Sequence, residues 1–157
     1  MTQALPVVAH GEDGLRALIG QTVGPGPWVE VAQGRVDAFA DATDDHQWIH
    51  VDPERAAHES SFGGTIAHGF LTLSLIPGLM RDVLSISGFA MSVNYGCNKV
   101  RFPAPLPVGT RVRLSLVIDD VTALPMGVQT TITASVHQEA GSKPVCVATL
   151  IGLRVLG

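Results

Sequence analysis

From Phe89 onward the hydrophobic period is two. Phe89, Met91, Val93 and Tyr95 alternate with smaller or polar residues, and Val112, Leu114, Leu116 and Ile118 alternate with Arg111, Arg113 and Ser115. Val128, Ile132, Ala134 and Val136 likewise face away from Gln129, Thr131, Thr133, Ser135 and His137. Alternate side chains of a strand point to opposite faces of its sheet, so these segments predict strands with one buried face. Glu139-Ala140-Gly141-Ser142 supplies a turn. The last segment, Val145 to Val155, is apolar on both faces, as in a central or interface strand.

Before Phe89 the spacing is helical. Gln33 to Thr43 places Val36, Phe39 and Ala40 on one side, predicting a short amphipathic helix that ends in Asp44-Asp45-His46-Gln47. Asp52-Pro53-Glu54 combines an N-cap, a proline at the first helical position and an acid in the first turn, so a helix through His58 is expected. Ile66 to Leu84 leaves little polar face and predicts a helix enclosed by other structure, with Pro77 kinking it or marking a change of segment. Upstream lie a short segment from Gly11 to Ile19, a loop at Gly24-Pro25-Gly26-Pro27 and a strand-like Val29-Glu30-Val31. Helices followed by consecutive long strands predict an α+β fold, an antiparallel sheet wrapped over one buried helix.

The 157 residues fit one domain spanning 1–157, with 1–31 its least defined segment. Apolar residues make up 46% and charged residues 15%, enough for a core and incompatible with wholesale disorder. A net charge of −4 argues against a broad basic surface for nucleic acid and leaves room only for a local basic patch. Cys97 and Cys146 lie in apolar, strand-like surroundings without Cys-x-x-Cys spacing, which argues against a disulfide framework or a structural zinc site. The residues Met1 to Pro6 lack the pattern of a secretory signal, and the longest apolar run is broken by His68, Thr72, Ser74, Pro77 and Arg81. A soluble, cytoplasmic protein without a membrane partner is expected.

Chemistry concentrates between Thr43 and Pro53. Asp45 and His50 would lie about 140° apart on a continuous helix, so they converge only if the chain leaves the helix between them. Gln47-Trp48 before a strand-like Ile49-His50-Val51 allows that. A carboxylate and an imidazole on one water can move a proton near neutral pH. The same residues would also serve to end a helix and to cap or pack, and spacing alone leaves both readings open. His46 and His50 have the four-residue spacing of a zinc helix, but Gln47 stands where a metalloprotease needs Glu and Trp48 sits inside the supposed site; no metal is expected.

The stretch from Phe39 through Leu75 resembles the MaoC-like dehydratase or hydratase-2 family. Its signature, roughly Gly-Asp-x-Asn-Pro-aliphatic-His followed by aliphatic-x-His-Gly, reads here Asp44-Asp45-His46-Gln47-Trp48-Ile49-His50 and Ile66-Ala67-His68-Gly69. The Gln-Trp variant and the block from Asn94 to Phe102 resemble the branch named after the nodulation protein NodN. The resemblance implies a hot-dog fold, usually as a homodimer joined edge to edge. It also implies (R)-specific hydration of trans-2-enoyl-CoA and the reverse dehydration, without a cofactor beyond the CoA thioester itself. On that carry-over Asp45 and His50 hold the water, and the backbone N–H of Gly69 binds the thioester oxygen at a helix N-terminus, where unpaired N–H groups suit enolate charge. Gly69 would equally serve close packing, and His68 would equally be a core or capping histidine.

Asp44, Gln47 and Trp48 replace the signature Gly, Asn and Pro. Gln47 keeps an amide with a longer reach, and Trp48 should alter the acyl pocket or pack beneath it. Pro77 stands where some relatives carry a serine near the catalytic carboxylate. Lys99, Arg101, Arg111 and Arg113 occupy a span without an acid and are candidates for the CoA phosphates, as well as for a charged strand edge. A thioesterase on the same fold, or an acyl-CoA or acyl-carrier binding subunit, remains an alternative.

Overall fold

A computed structural model describes residues 6–157. In chain order the elements are β1 (Val7–His10), α1 (Gly11–Arg16), β2 (Thr22–Val23), β3 (Val29–Glu30), α2 (Gln33–Thr43), α3 (Trp48–Val51), α4 (Pro53–Glu59), α5 (Gly69–Ser74), α6 (Ile76–Met80), β4 (Leu84–Ser87), β5 (Met91–Arg101), β6 (Arg111–Leu124), β7 (Gly127–Gln138) and β8 (Cys146–Val155). The main sheet runs β2-β6-β7-β8-β5, with β3 also on β6, and every pairing in it is antiparallel. A separate parallel pair joins β1 to β4. The α+β hot-dog arrangement follows, a sheet packed on the α5–α6 rod.

The period-two segments build the core. Val112, Leu114, Leu116 and Ile118 of β6, with Val128, Ile132, Ala134 and Val136 of β7, are all buried, and their neighbours in sequence face outward. Each large side chain of this kind contributes about 1.5–3 kcal/mol on burial. Leu71 and Ile76 from the helical rod complete the same cluster.

Four expectations need correction. The run from Ile66 to Leu84 is not one helix: residues 66–68 are non-helical, Leu75 separates α5 from α6, and Leu84 already belongs to β4. Ile66 and Ala67 spend their N–H groups on Ile49 and Leu106 carbonyls, which ties them to neighbouring segments and delays the helix to Gly69. Pro77 falls in the first turn of α6, where its missing N–H costs nothing. The rod is also not enclosed on all sides, since Phe70 is 68% exposed. Ile49-His50-Val51 is a helical turn rather than a strand. In β5 the alternation does not translate into burial: nearly all its side chains are exposed, including Cys97, and its register on β8 shifts twice. Cys146, in contrast, is buried, and burial pushes its thiol up to about 11. No helix among the described residues is long and apolar enough to cross a membrane.

Candidate active site

The site forms where α2 ends. Asp44, the C-cap of α2, adopts a left-handed conformation with φ 58°, which turns the chain out of the helix. Aspartate tolerates that region better than most side chains because its short carboxylate bonds locally. The turn sends Asp45 away from the helix axis and lets α3 bring His50 back to meet it.

His50 is held from two directions. Its backbone N–H donates to Gln47 O at 2.9 Å, and its Nδ1 lies 2.6 Å from the carbonyl oxygen of Ile66. A carbonyl only accepts, so Nδ1 carries the proton and Nε2 of the neutral ring keeps a free lone pair. Burial lowers the pKa of His50 from 6.5; the Ile66 bond opposes that, the neighbouring His68 adds to it and Asp45 opposes it. The ring is therefore neutral at neutral pH.

His68, 2% exposed, precedes α5 without capping it through its side chain. Its Nε2 donates to the backbone oxygen of Asp45 at 2.9 Å and lies 3.9 Å from Oδ2 of the same residue. Phe39 of α2 packs against its ring at 5.0 Å between centroids. His68 thus positions Asp45, and its own Nδ1 is buried without a partner.

Asp45, His50 and His68 each place one ligand-type atom within 4.8 Å of the others. Two hydrogen bonds of about 2.8 Å span up to about 5.6 Å, so one water reaches both the carboxylate and an imidazole. The same trio is the one group of described residues arranged for a metal ion, although Nε2 of His68 carries its proton toward the Asp45 carbonyl. The His46–His50 spacing has no such geometry: His46 is exposed, lies outside α3 and faces Asp41 at 3.7 Å. Beside the trio a cavity of about 330 Å³ is lined by His50, Ile66, Gly69, Thr72 and Phe102.

Gly69 opens α5 at the edge of this cavity. A Cβ there would stand 2.8–3.0 Å from the Phe102 ring, so the glycine is required by close packing whatever else its N–H does. Gln47 is exposed at the start of α3. Trp48 does not line this cavity; its ring packs under the Arg55 guanidinium at 4.4 Å.

The four basic candidates do not form one patch. Lys99 and Arg101 lie exposed on β5, whereas Arg111 and Arg113 lie on β6, with β7 and β8 between. Arg111 is paired with Glu139 at 2.6 Å, and Arg113 covers the Trp28 ring at 4.3 Å. Sequence reasoning also missed Gln33. Its amide donates to His50 O at 2.7 Å and to Asp37 Oδ1 at 2.8 Å, while its oxygen accepts from Thr65 at 2.7 Å. Nothing in the local pattern marks a glutamine in the first turn of a helix as a brace for a residue 17 positions away.

The MaoC like domain profile matches residues 15–140. The 3-hydroxyacyl-thioester dehydratase Z of Mycobacterium tuberculosis is 52% identical over 138 residues, 87% of this chain and 91% of that protein. Nodulation protein N of Rhizobium meliloti is 41% identical over 144 residues, 87% of this chain and 86% of that protein. Among solved structures, an R-hydratase from Pseudomonas aeruginosa in its unliganded form superposes with a TM-score of 0.70 at 24% identity, covering 88% of this chain and 83% of the other. That likeness carries the fold. The profile and the two relatives span the Asp45–His50 turn, α5 and most of the sheet, and the chain accordingly belongs to the MaoC-like dehydratase family, as a hydro-lyase of its NodN-like branch.

Proposed function

We propose that the protein hydrates trans-2-enoyl-CoA to (R)-3-hydroxyacyl-CoA and runs the reverse dehydration. The observation that carries this reading is the fixed tautomer of His50, a cavity-lining residue whose Nδ1 is committed to the Ile66 carbonyl, leaving Nε2 unprotonated, together with a ring nitrogen and an Asp45 carboxylate oxygen within 4.8 Å of each other. In the hydration direction Nε2 takes a proton from the water as its oxygen bonds to the β-carbon. The double-bond electrons move toward the thioester carbonyl, forming an enolate that the backbone N–H of Gly69 receives at the first position of α5. The imidazolium then returns its proton to the α-carbon, so His50 ends neutral and one water has been added. Asp45 orients the water and offsets the transient imidazolium charge, in line with the upward pull it exerts on the His50 pKa. His68 holds Asp45 in place, and Gln47 offers an amide to the thioester at the mouth of the site. The (R) sense follows the family resemblance.

Of the basic residues, Lys99 and Arg101 are the proposed phosphate contacts, because Arg101 adjoins Phe102 at the cavity while Arg111 is already paired. The outer edge of β5, with Met91 and Tyr95 54% and 65% exposed, supports edge-to-edge pairing with a second copy of the chain.

Incubation with crotonyl-CoA, following both the conjugated enoyl absorbance and free thiol, tests the assignment. Loss of absorbance without thiol is expected. Thiol release at the same rate would make the protein a thioesterase, with the same water directed at the carbonyl.

A further inference from the structure

Arg154 on β8 is 9% exposed, and its Nε is buried without a hydrogen-bond partner. Among the described residues no carboxylate pairs with its guanidinium, and residues 1–5 contain no acidic side chain. Burial pulls its pKa below the usual guanidinium range with no acid opposing, yet an arginine stays cationic at neutral pH. A buried charge without a counter-ion is costly, so its burial here points to an anion brought from outside. Gly152, two residues earlier on the same face of β8, leaves the room: a Cβ there would stand 3.3 Å from Nη2 of Arg154.

The guanidinium lines a cavity of about 310 Å³ together with Arg81, Ser92 and Asn94, and no acidic side chain lines it. A neighbouring cavity of about 200 Å³, lined by Leu73, shares Pro77, Asn94, Leu150 and Ile151 with it, so the two form one strip between the helical rod and β5–β8. Gly69, Leu73, Pro77 and Arg81 recur every fourth residue and mark one face of the rod, since Leu75 between α5 and α6 keeps a helical conformation. Gly69 borders the His50 cavity and Arg81 the Arg154 cavity, and twelve residues at about 1.5 Å each separate them by roughly 18 Å. The strip carries Leu73, Pro77, Leu150 and Ile151 with Asn94 and Ser74 among them, and it ends at Arg81 and Arg154.

We infer that the Arg154 cavity receives a carboxylate at the far end of the substrate's acyl chain, so that the protein prefers ω-carboxyacyl thioesters over methyl-terminated ones. This rests on the hydratase reading for the chemistry at the other end, and the test separates the two. Binding is measured by titration calorimetry with saturated, unreactive hexadecanedioyl-CoA monothioester against hexadecanoyl-CoA, chains long enough to reach from one cavity to the other. Turnover is measured with the matching trans-2-enoyl compounds of twelve, fourteen and sixteen carbons. A charge-assisted pair in a buried site should favour the carboxylate-terminated ligand at least about tenfold. Arg154→Met, which fills similar space without a charge, should abolish that preference, Arg154→Lys should retain part of it, and Arg81→Gln should reduce it. Circular dichroism checks that each variant is folded, and Arg154→Gln replaces Arg154→Met if the latter is not. Equal affinity of the wild type for the two saturated ligands, or a preference that survives Arg154→Met, would overturn the inference, including the case in which a second copy's acidic residue fills the cavity. Absence of hydration of every trans-2-enoyl compound, the carboxylate-terminated ones included, with the binding preference intact would instead refute the hydratase reading alone.

Discussion

The rings of His50 and His68 stack with centroids 3.9 Å apart and planes 29° from parallel, and both side chains are buried. A charge on the His68 ring would repel one on His50 in surroundings that screen little, so this neighbour opposes protonation of His50. The stack therefore helps keep His50 in the basic form that proton abstraction needs.

The pH profile should show it. With burial as the main cause, the folded pKa of His50 lies below 6.5, and kcat/KM for an enoyl thioester should rise with pH along a limb whose midpoint is below that value. His68→Gln removes the repulsion and should move the limb upward. Stability follows the same sign. Because the folded pKa is depressed, the unfolded chain binds more protons between that pKa and 6.5, so the contribution is fully present above 6.5 and lost as pH falls through the window. Denaturant titrations across that range should show a slope that His50→Asn reduces. A wild-type kinetic midpoint above 6.5 would contradict the burial argument.

Asp45→Asn and His50→Asn should each lower kcat for crotonyl-CoA by about a hundredfold or more, the usual scale of a lost acid–base group. Asp45 is an exposed side chain, so Asp45→Asn should leave Tm nearly unchanged. His50→Asn loses the 2.6 Å bond to Ile66 and should cost about 1 kcal/mol or more in addition. Stopped assays on both variants, with Tm measured in parallel, check the split; near-wild-type turnover in either one removes that residue from the mechanism.

Gly69→Ala combines two effects that a single variant cannot separate. The added methyl collides with the Phe102 ring, which must turn or shift, and an overpacked contact of this kind costs about 1–3 kcal/mol. Gly69→Ala with Phe102→Leu should recover much of the stability. If the backbone N–H also binds the thioester oxygen, kcat in the double variant should fall below that of Phe102→Leu alone. Equal kcat in those two proteins would leave Gly69 a packing residue.

The sheet was legible because one-sided burial writes a period of two directly into β6 and β7. The α2 helix and the capped start of α4, where Asp52 Oδ1 accepts from Arg55 N at 2.9 Å, were legible for equally local reasons. What sequence could not show was set by distant partners. Ile66 and Ala67 leave the helix because Ile49 and Leu106 take their N–H groups, and β5 stays exposed at the end of the sheet, where no strand among the described residues pairs with its outer edge. Within the site, the Asp45–His50 pair was visible as a motif, but its convergence depends on the left-handed Asp44, at the position where the family signature has glycine. Arg111 and Lys99 looked alike in sequence; only Glu139, 28 positions from Arg111, tells them apart.

Gln33 offers the sharpest test of positioning because it touches the backbone of His50 and no proposed reacting atom. Its three hydrogen bonds tie α2 to α3 and to the segment leading into α5. Gln33→Ala leaves the His50 carbonyl and the Thr65 hydroxyl without their partner in a half-buried place, which should cost about 1–3 kcal/mol in denaturant titrations. Displacement of His50 should lower kcat while KM stays near its wild-type value, since Ile66, Gly69, Thr72 and Phe102 still line the cavity. Gln33→Glu is expected to be worse than Ala in stability at neutral pH: it sets a carboxylate against Asp37 and replaces the donor to His50 O with an acceptor. Thr65→Ala should show a smaller loss of the same kind, and Thr65→Ser should restore it by returning the hydroxyl. A double-mutant cycle between Gln33→Ala and Thr65→Ala then isolates their coupling, expected at about 0.5–3 kcal/mol for groups in one network. Strict additivity would mean that the Gln33–Thr65 bond carries no coupling, and a rise in KM without a fall in kcat would mean that Gln33 does not act through His50.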